Sequence, residues 1–144
     1  MIFDAQALFS DDQAITATAV STNVIDLGAP DTPKHAAAAI GQDVGFGNAK
    51  AIRIQVTADF ATLTSLTFTL QKDTVENFAS PETVVALGTV AVADLVAGYV
   101  LPLEVLPRGI DQQYLRLNYT VVGSNATAGT ITAGLVFEGE GWSA

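Results

Sequence analysis

The sequence feature that most constrains the fold is an alternation of apolar and polar residues with the two-residue period of a β-strand. From Ile52 to Val56, every second residue is apolar, and the residues between them are arginine and glutamine. Such a segment puts its apolar side chains on one face of a strand and its polar side chains on the other. The pattern returns from Leu66 to Leu70, from Leu115 to Val121 and from Ile131 to Phe137. We predict a half-buried strand at each of these four places.

Weaker strand signals bring the predicted total to about eight. Helical periodicity extends over no more than a turn or two, within Pro33 to Ile40 and Val92 to Val96. Because parallel strands would need crossover helices, the pattern favours an antiparallel β-sandwich. The weaker candidates share β-branched residues and flanking Gly, Pro, Asn or Asp, and they are Ala14 to Ala19, Asn23 to Leu27, Thr83 to Val92 and Gly98 to Val105.

Two sandwich topologies fit this pattern, the jelly roll and the immunoglobulin-like fold. We favour a jelly roll of about eight strands, because the spacing between strands is irregular and one connection is long. The buried Cys and Trp pair of an immunoglobulin domain is also missing, since the chain has no cysteine.

The chain is expected to form a single β-sandwich domain over residues 1–144, because its length falls in the usual range of one domain. Three segments are predicted to lie outside the strands: an N-terminal arm of residues 1–12, a long loop of residues 28–50 and a C-terminal tail of residues 138–144. Loops as long as the second are usually functional or disordered. We expect removal of residues 1–12 to leave the fold intact and to weaken partner binding.

The charge balance argues against nucleic acid and membranes as partners. The chain has 15 acidic and 6 basic residues, a net charge of -9, and its basic residues are scattered singly. Phosphate backbones and anionic lipids would be repelled by this charge. The N-terminus lacks the positive charge of a signal peptide, and no apolar run is long enough to span a bilayer. We therefore expect synthesis in the cytoplasm.

Catalytic and metal-binding patterns are weak throughout the sequence. His35 is the single histidine, so a histidine metal triad or a Ser-His-Asp triad has few partners. The glycine-rich run from Gly41 to Lys50 lacks the Gly-Lys-Ser/Thr ending of a phosphate loop. Calcium bound between loops stays open, although the spacing of an EF-hand is missing. We expect neither enzyme activity nor a cofactor.

Four aromatic residues stand in the predicted arm, loop and tail, where a sandwich core needs them least. They are Phe3, Phe9, Phe46 and Trp142, and Ile2 accompanies them. Because exposed aromatic side chains often anchor interfaces, we predict that these five residues bind a partner. The alternative is that the arms fold back and bury the rings under the ends of the sandwich.

Three segments of the sequence resemble capsid cement proteins of tailed double-stranded DNA phages, of the type found in Bordetella podoviruses. The segments are Met1 to Ser10, Ser21 to Gly28 and Gly139 to Trp142. The resemblance implies a jelly-roll protein on the outside of an HK97-like shell, and therefore a virion protein. It also implies a homo-oligomer, a dimer or trimer, that bridges major capsid protein subunits and stabilises the shell against internal DNA pressure. No catalytic residues come with this family.

A carbohydrate-binding or receptor-binding β-sandwich of a phage particle is the alternative function. It would need a shallow groove with exposed aromatic residues, which Tyr99, Tyr114 and Tyr119 could supply. Tyr119 alternates with apolar residues of a predicted strand, which weakens this alternative. A hydrolase on the same scaffold lacks a set of metal ligands.

Overall fold

The computed structural model describes residues 5–41, 43, 50–101 and 104–137. Every pairing between its strands is antiparallel in the part of the chain described, and the predicted antiparallel all-β class is confirmed. Two 3-10 turns, Ala5–Ala7 and Val92–Asp94, accompany the strands. The strands are β1 (Leu8–Ala14), β2 (Ala19–Val20), β3 (Ile25–Asp26), β4 (Lys50–Asp73), β5 (Glu82–Ala91), β6 (Glu104–Val105) and β7 (Tyr114–Phe137).

Two strands of 24 residues each, β4 and β7, form the centre of the sheet. They pair from Lys50 opposite Phe137 to Asp73 opposite Tyr114, with a break in the register between Ala61, opposite Ala128, and Leu63, opposite Gly123. The sequence predicted four separate strands here, but each pair of segments is one continuous strand. The alternation lapses between Val56 and Ser65, where the register between β4 and β7 shifts four times.

The other strands flank this central pair, and each flank divides into two parts along the length of the sheet. On the free side of β7, β1 lies near its end, and β2 and β3 lie near its start. On the free side of β4, β6 lies near its start and β5 near its end. We call the part that contains β1 and β6 the β1 half, and the part that contains β2, β3 and β5 the β5 half.

The two halves face each other, because the sheet folds over between them. Ser10 of β1 lies beside Ala133 of β7, which is 14 positions from Tyr119 in the sequence. An extended strand would place these positions about 46 Å apart. Yet the hydroxyl groups of Ser10 and Tyr119 are 2.7 Å apart. The eight predicted strands thus form four long extended segments, and each segment bends once so that its two parts lie in opposite halves. This arrangement is compatible with a jelly roll, and that topology stays a prediction.

The bend between the halves is held by specific contacts across β4 and β7. Thr62 has a φ of 76°, which is costly for a β-branched residue. Its hydroxyl donates to the carbonyl oxygen of Asn125 at 2.7 Å and accepts from the N–H of Thr127 at 3.1 Å. Gly129, with a φ of 132°, lies directly against the ring of Phe60, so that a Cβ there would stand 2.4 Å from the ring.

One contiguous core lies between the halves, and both contribute to it. The alternation predicted the correct face of each strong strand, since Ile54, Leu66 and Leu117 are all buried. The predicted N-terminal arm of residues 1–12 is corrected in part, because residues 8–12 belong to β1 and pair with β7. The largest fully buried side chains are Tyr119, Phe9, Phe68, Ile15, Ile54, Leu66, Leu70, Leu95, Ile110, Leu115, Leu117 and Ile131.

Candidate partner-binding surface

Four of the five residues predicted to bind a partner lie outside the described residues: Ile2, Phe3, Phe46 and Trp142. The fifth, Phe9, is a core residue in this structure, with 0% of its side chain exposed. Its position follows from the pairing of β1 with β7 and from a hydrogen bond that its carbonyl oxygen accepts from the N–H of Asn23. A contact between Phe9 and a partner would require β1 to leave the sheet.

The arm, the loop and the tail that the sequence singled out all join the sheet at the end opposite the bend, which we call the open end. The arm joins at Leu8, which pairs with Gly134 near the end of β7. The loop leaves after Asp26, opposite the first residue of β7, and returns at Lys50, opposite its last. Because the fold-over brings the two ends of β7 together, these junctions lie at one end of the molecule.

Within the predicted loop of residues 28–50, residues 28–41 are exposed at every position and Asp43 is half-buried. Lys50 already belongs to β4, which corrects the end of the predicted loop. Local hydrogen bonds shape the loop, from the N–H of Ala36 to the carbonyl oxygen of Pro33 and from the N–H of Ile40 to that of Asp31. Ile40 has 65% of its side chain exposed, more than any other large apolar residue described. The loop therefore presents an apolar side chain to solvent in a locally ordered setting.

A chain of polar contacts ties the base of this loop to the sheet. The carboxylate of Asp43 accepts from the N–H groups of Gly109 and Ile110, at 2.9 and 3.3 Å. The ammonium of Lys72 donates to the carbonyl oxygen of Gly109 at 2.8 Å and to Asp111 at 2.7 Å. The hydrogen bond with Asp111 raises the pKa of Lys72. The loop base is thus connected to the end of β4 through the connection before β7.

A second surface is distinguished by the charges that it lacks. It is formed by the outward side chains of β4 from Ser65 to Gln71, of β5 from Thr83 to Ala91 and of β7 from Arg116 to Val122, together with Val20. None of these outward residues is Asp or Glu, and we call the surface the acid-free face. Its hydroxyl residues are Ser65, Thr67, Thr69, Thr83, Thr89 and Thr120.

The turn after β4 borders one end of the acid-free face and is held together by several hydrogen bonds. The carboxylate of Asp73 accepts from the N–H groups of Thr74, Val75 and Ser80. Burial raises the pKa of Asp73, but these hydrogen bonds outweigh burial and leave it lowered. The guanidinium of Arg116 lies 4.2 Å from the ring centroid of Phe78 in the same turn. Arg116 is therefore held at the border of the face.

The tyrosines required by the carbohydrate-binding alternative are not brought together. Tyr119 is fully buried and packs edge-to-face on Phe68. Its hydroxyl donates a hydrogen bond to the hydroxyl of Ser10, which in turn donates to the side-chain oxygen of Gln13. Burial raises the pKa of Tyr119, an effect that the bond to Ser10 partly opposes. Tyr99 lies beside Val56 near the bend, whereas Tyr114 begins β7 at the open end. A groove of about 450 Å³ at the open end has no aromatic residue among its described lining.

The described ranges also bear on metal-ligand clusters and on helices that could span a membrane. In these ranges, no three His, Cys, Asp or Glu residues gather closely enough to hold a metal ion. His35 stands in the exposed loop with a φ of 71°. No described helix is long and apolar enough to cross a membrane.

The fold and its surfaces define a class, an antiparallel all-β protein with an exposed loop at one end and a sheet face without acidic residues on one flank. A family model described as Bbp16 matches residues 9–135. The chain belongs to the Bbp16 family, a family of Bordetella phage proteins. The match runs from the second residue of β1 almost to the end of β7. No curated protein matches the chain.

The acid-free face is the feature that the sequence prediction missed. A signal was present, because Thr67, Thr69 and Thr120 occupy the outward positions of two predicted strands. What the sequence could not supply was the neighbour relation, since only the pairing of β4 with both β5 and β7 joins these positions into one surface.

Proposed function

We propose that this protein is a cement protein of a phage head. It binds the outer surface of the shell and bridges major capsid protein subunits, and it thereby stabilises the shell against the pressure of packaged DNA. The observation that carries the proposal is the match over residues 9–135 to a family of Bordetella phage proteins. The resemblance of its terminal segments to capsid cement proteins supplies the specific role.

The geometry of the open end supports this role. A protein that bridges subunits needs contact elements that extend beyond its own core and keep a defined base. The exposed loop of residues 28–41 meets the first need, with Ile40 as its most exposed apolar side chain. The hydrogen bonds from Gly109 and Ile110 to Asp43 meet the second. The arm and the tail join the sheet at the same end, so one face of the shell could engage all three.

The charge of the chain supports a place outside the shell. A net charge of -9 is repelled by the packaged DNA, so the outer surface costs less electrostatic free energy than the inner one. Repeated contacts between identical copies and the shell would reinforce each other, because a shell repeats each interface by symmetry. We include homo-oligomers, dimers or trimers, in the proposal.

Sedimentation with phage heads tests the proposal directly. The purified chain is mixed with mature empty heads of a Bordetella phage that lack their cement protein, and the copies bound per particle are counted. We expect saturable binding at a fixed number of copies per head. Absence of binding to such heads would remove the cement role, and screening on glycan arrays would then test the alternative function.

A pair of matched variants tests the part of the loop in this binding. Ile40→Asp places a charge at the most exposed large apolar residue of the described loop, and Val96→Asp places the same charge at the bend, where Val96 is 46% exposed. We expect Ile40→Asp to reduce the copies bound at a subsaturating concentration and Val96→Asp to leave them unchanged. Equal binding by the two variants would exclude the loop from the contact.

A further inference from the structure

The acid-free face is notable in a chain with so many carboxylates. The chain has 15 acidic residues, yet none occupies an outward position between Ser65 and Gln71 of β4 or beside them on β5 and β7. Carboxylates border the face and do not lie on it: Glu82 begins β5 beside Thr83 and forms an ion pair with Lys72 at 3.6 Å, Asp73 is buried and accepts hydrogen bonds in the turn after β4, and Asp26 lies at the open end. We propose that a second copy of this chain packs against the acid-free face with its own acid-free face. The inference deepens the proposed function, in which copies lie side by side on one shell.

Electrostatics selects this face for contact between copies. Two chains of net charge -9 repel each other, so a contact that brought carboxylates of both copies together would be opposed. Like charges placed opposite each other across an interface cost several kcal/mol. On the acid-free face the single charge is Arg116, whose Nε already donates to Gln71 and whose guanidinium covers Phe78. A two-fold contact here therefore avoids the repulsion that a contact elsewhere would meet.

Several polar groups of the face already form hydrogen bonds with each other within the face. The hydroxyls of Thr67 and Thr89 lie 2.9 Å apart, and the amide of Asn118 donates to Thr120 at 3.0 Å. Polar groups that already have partners lose less free energy when water is removed. Apolar contact would come from the threonine methyl groups and from two exposed valines, Val20 and Val122, which are 39% and 43% exposed.

The size of the face predicts a weak contact in free solution. Three neighbouring strands about 4.8 Å apart, each contributing about seven residues at roughly 3.3 Å, give an area of about 330 Å². A standard stable interface buries about 800 Å² on each partner. We therefore expect association at roughly 0.1–1 mM protein, strengthened where copies are held close together on a shell.

Sedimentation of the free full-length chain over a concentration series tests the inference. The wild-type chain should rise from the mass of a monomer, 14.9 kDa, toward that of a dimer. Asn118→Asp adds one carboxylate to the middle of the face without changing the size of the side chain. We expect it to weaken the association tenfold or more. Thr89→Asp, on the exposed edge strand, gives a second test if Asn118→Asp melts early.

The matched control is Gln55→Glu, which adds the same charge on the outward side of the β1 half, where Gln55 pairs with Thr132. It should associate like the wild-type chain. A wild-type chain that stays monomeric up to about 1 mM would overturn the inference, as would equal weakening by the test and control variants. Because no phage head is present, failure here leaves the cement role standing, and failure to bind heads leaves this result standing.

Discussion

The contact between Gly129 and Phe60 gives the sharpest test of how the sheet bends. Replacing Gly129 with alanine has two costs. Its φ of 132° is disfavoured for any residue with a Cβ, at about 1–3 kcal/mol. The new Cβ would also stand 2.4 Å from the ring of Phe60, and relieving such overpacking typically costs about 1–3 kcal/mol. We expect Gly129→Ala to destabilise the fold by about 2–6 kcal/mol in total.

Gly88 provides a closely matched control for the backbone contribution. Its φ is 134°, almost the same as that of Gly129, but a Cβ at Gly88 would meet no atom within 4 Å. Gly88→Ala therefore carries the backbone cost alone, and both substitutions restrict the unfolded chain equally. The difference between the two variants, about 1–3 kcal/mol, isolates the contact with Phe60.

Urea unfolding measures this difference. With a slope near 2 kcal/mol per molar, the midpoint of Gly129→Ala should fall about 0.5–1.5 M below that of Gly88→Ala. In a Phe60→Leu background, which makes room beside the new methyl group, the two alanine variants should move closer together. Equal midpoints for Gly129→Ala and Gly88→Ala in the wild-type background would refute the close packing of β7 on Phe60 at the bend.

Three further predictions concern the core, β1 and the turn after β4. Phe68→Ala should lower the free energy of unfolding by about 3–5 kcal/mol, because Phe68 is fully buried against Tyr119; an unchanged melting curve would contradict its place in the core. Deletion of residues 1–12 should now lower the melting temperature, since it removes most of β1 and Phe9, and a fully stable truncated chain would show that β1 is dispensable. The pKa of Asp73 is lower in the folded chain than its ordinary value of 3.8. The ionised carboxylate therefore stabilises the fold fully above pH 3.8, and this stabilisation is lost as the pH falls through the lower folded pKa. Acid titration of Asp73→Asn followed by circular dichroism should therefore show a smaller loss of stability below pH 3.8 than the wild-type chain shows.

The alternation in the sequence was enough to predict the strands of the core and the faces that they bury. It could not predict that the segments around Ile54 and Phe68 are two parts of one strand. Between them, the bulges break the two-residue period, and the positive φ falls on Thr62, a residue type that ordinarily avoids it. Its hydrogen bonds to β7 stabilise that conformation, and such contacts between distant residues leave no local signal.

The N-terminal arm is a second case in which pairing between distant residues left no clear signal in the sequence. Asp11 and Asp12 follow Phe9 closely, and the pattern resembles an exposed arm more than an alternating strand. Two register shifts within β1 explain the irregular pattern, because they let both Phe9 and Ser10 be buried in succession. The predicted loop of residues 28–50 contains no strand over residues 28–41 and is exposed there, but Lys50 at its end begins β4.

The folded sheet separates the two surfaces proposed for binding, and this separation can itself be tested. The loop that carries Ile40 extends from the open end, whereas Asn118 lies on the flank of the β5 half, within the paired strands. Sites that share no partners usually contribute additively to free energies. In the free chain, Ile40→Asp should leave self-association at the wild-type level, and the double variant should associate as weakly as Asn118→Asp alone. A loop variant that weakened self-association as strongly as Asn118→Asp would mean that the copies meet at the open end, and the acid-free face would lose its assigned partner.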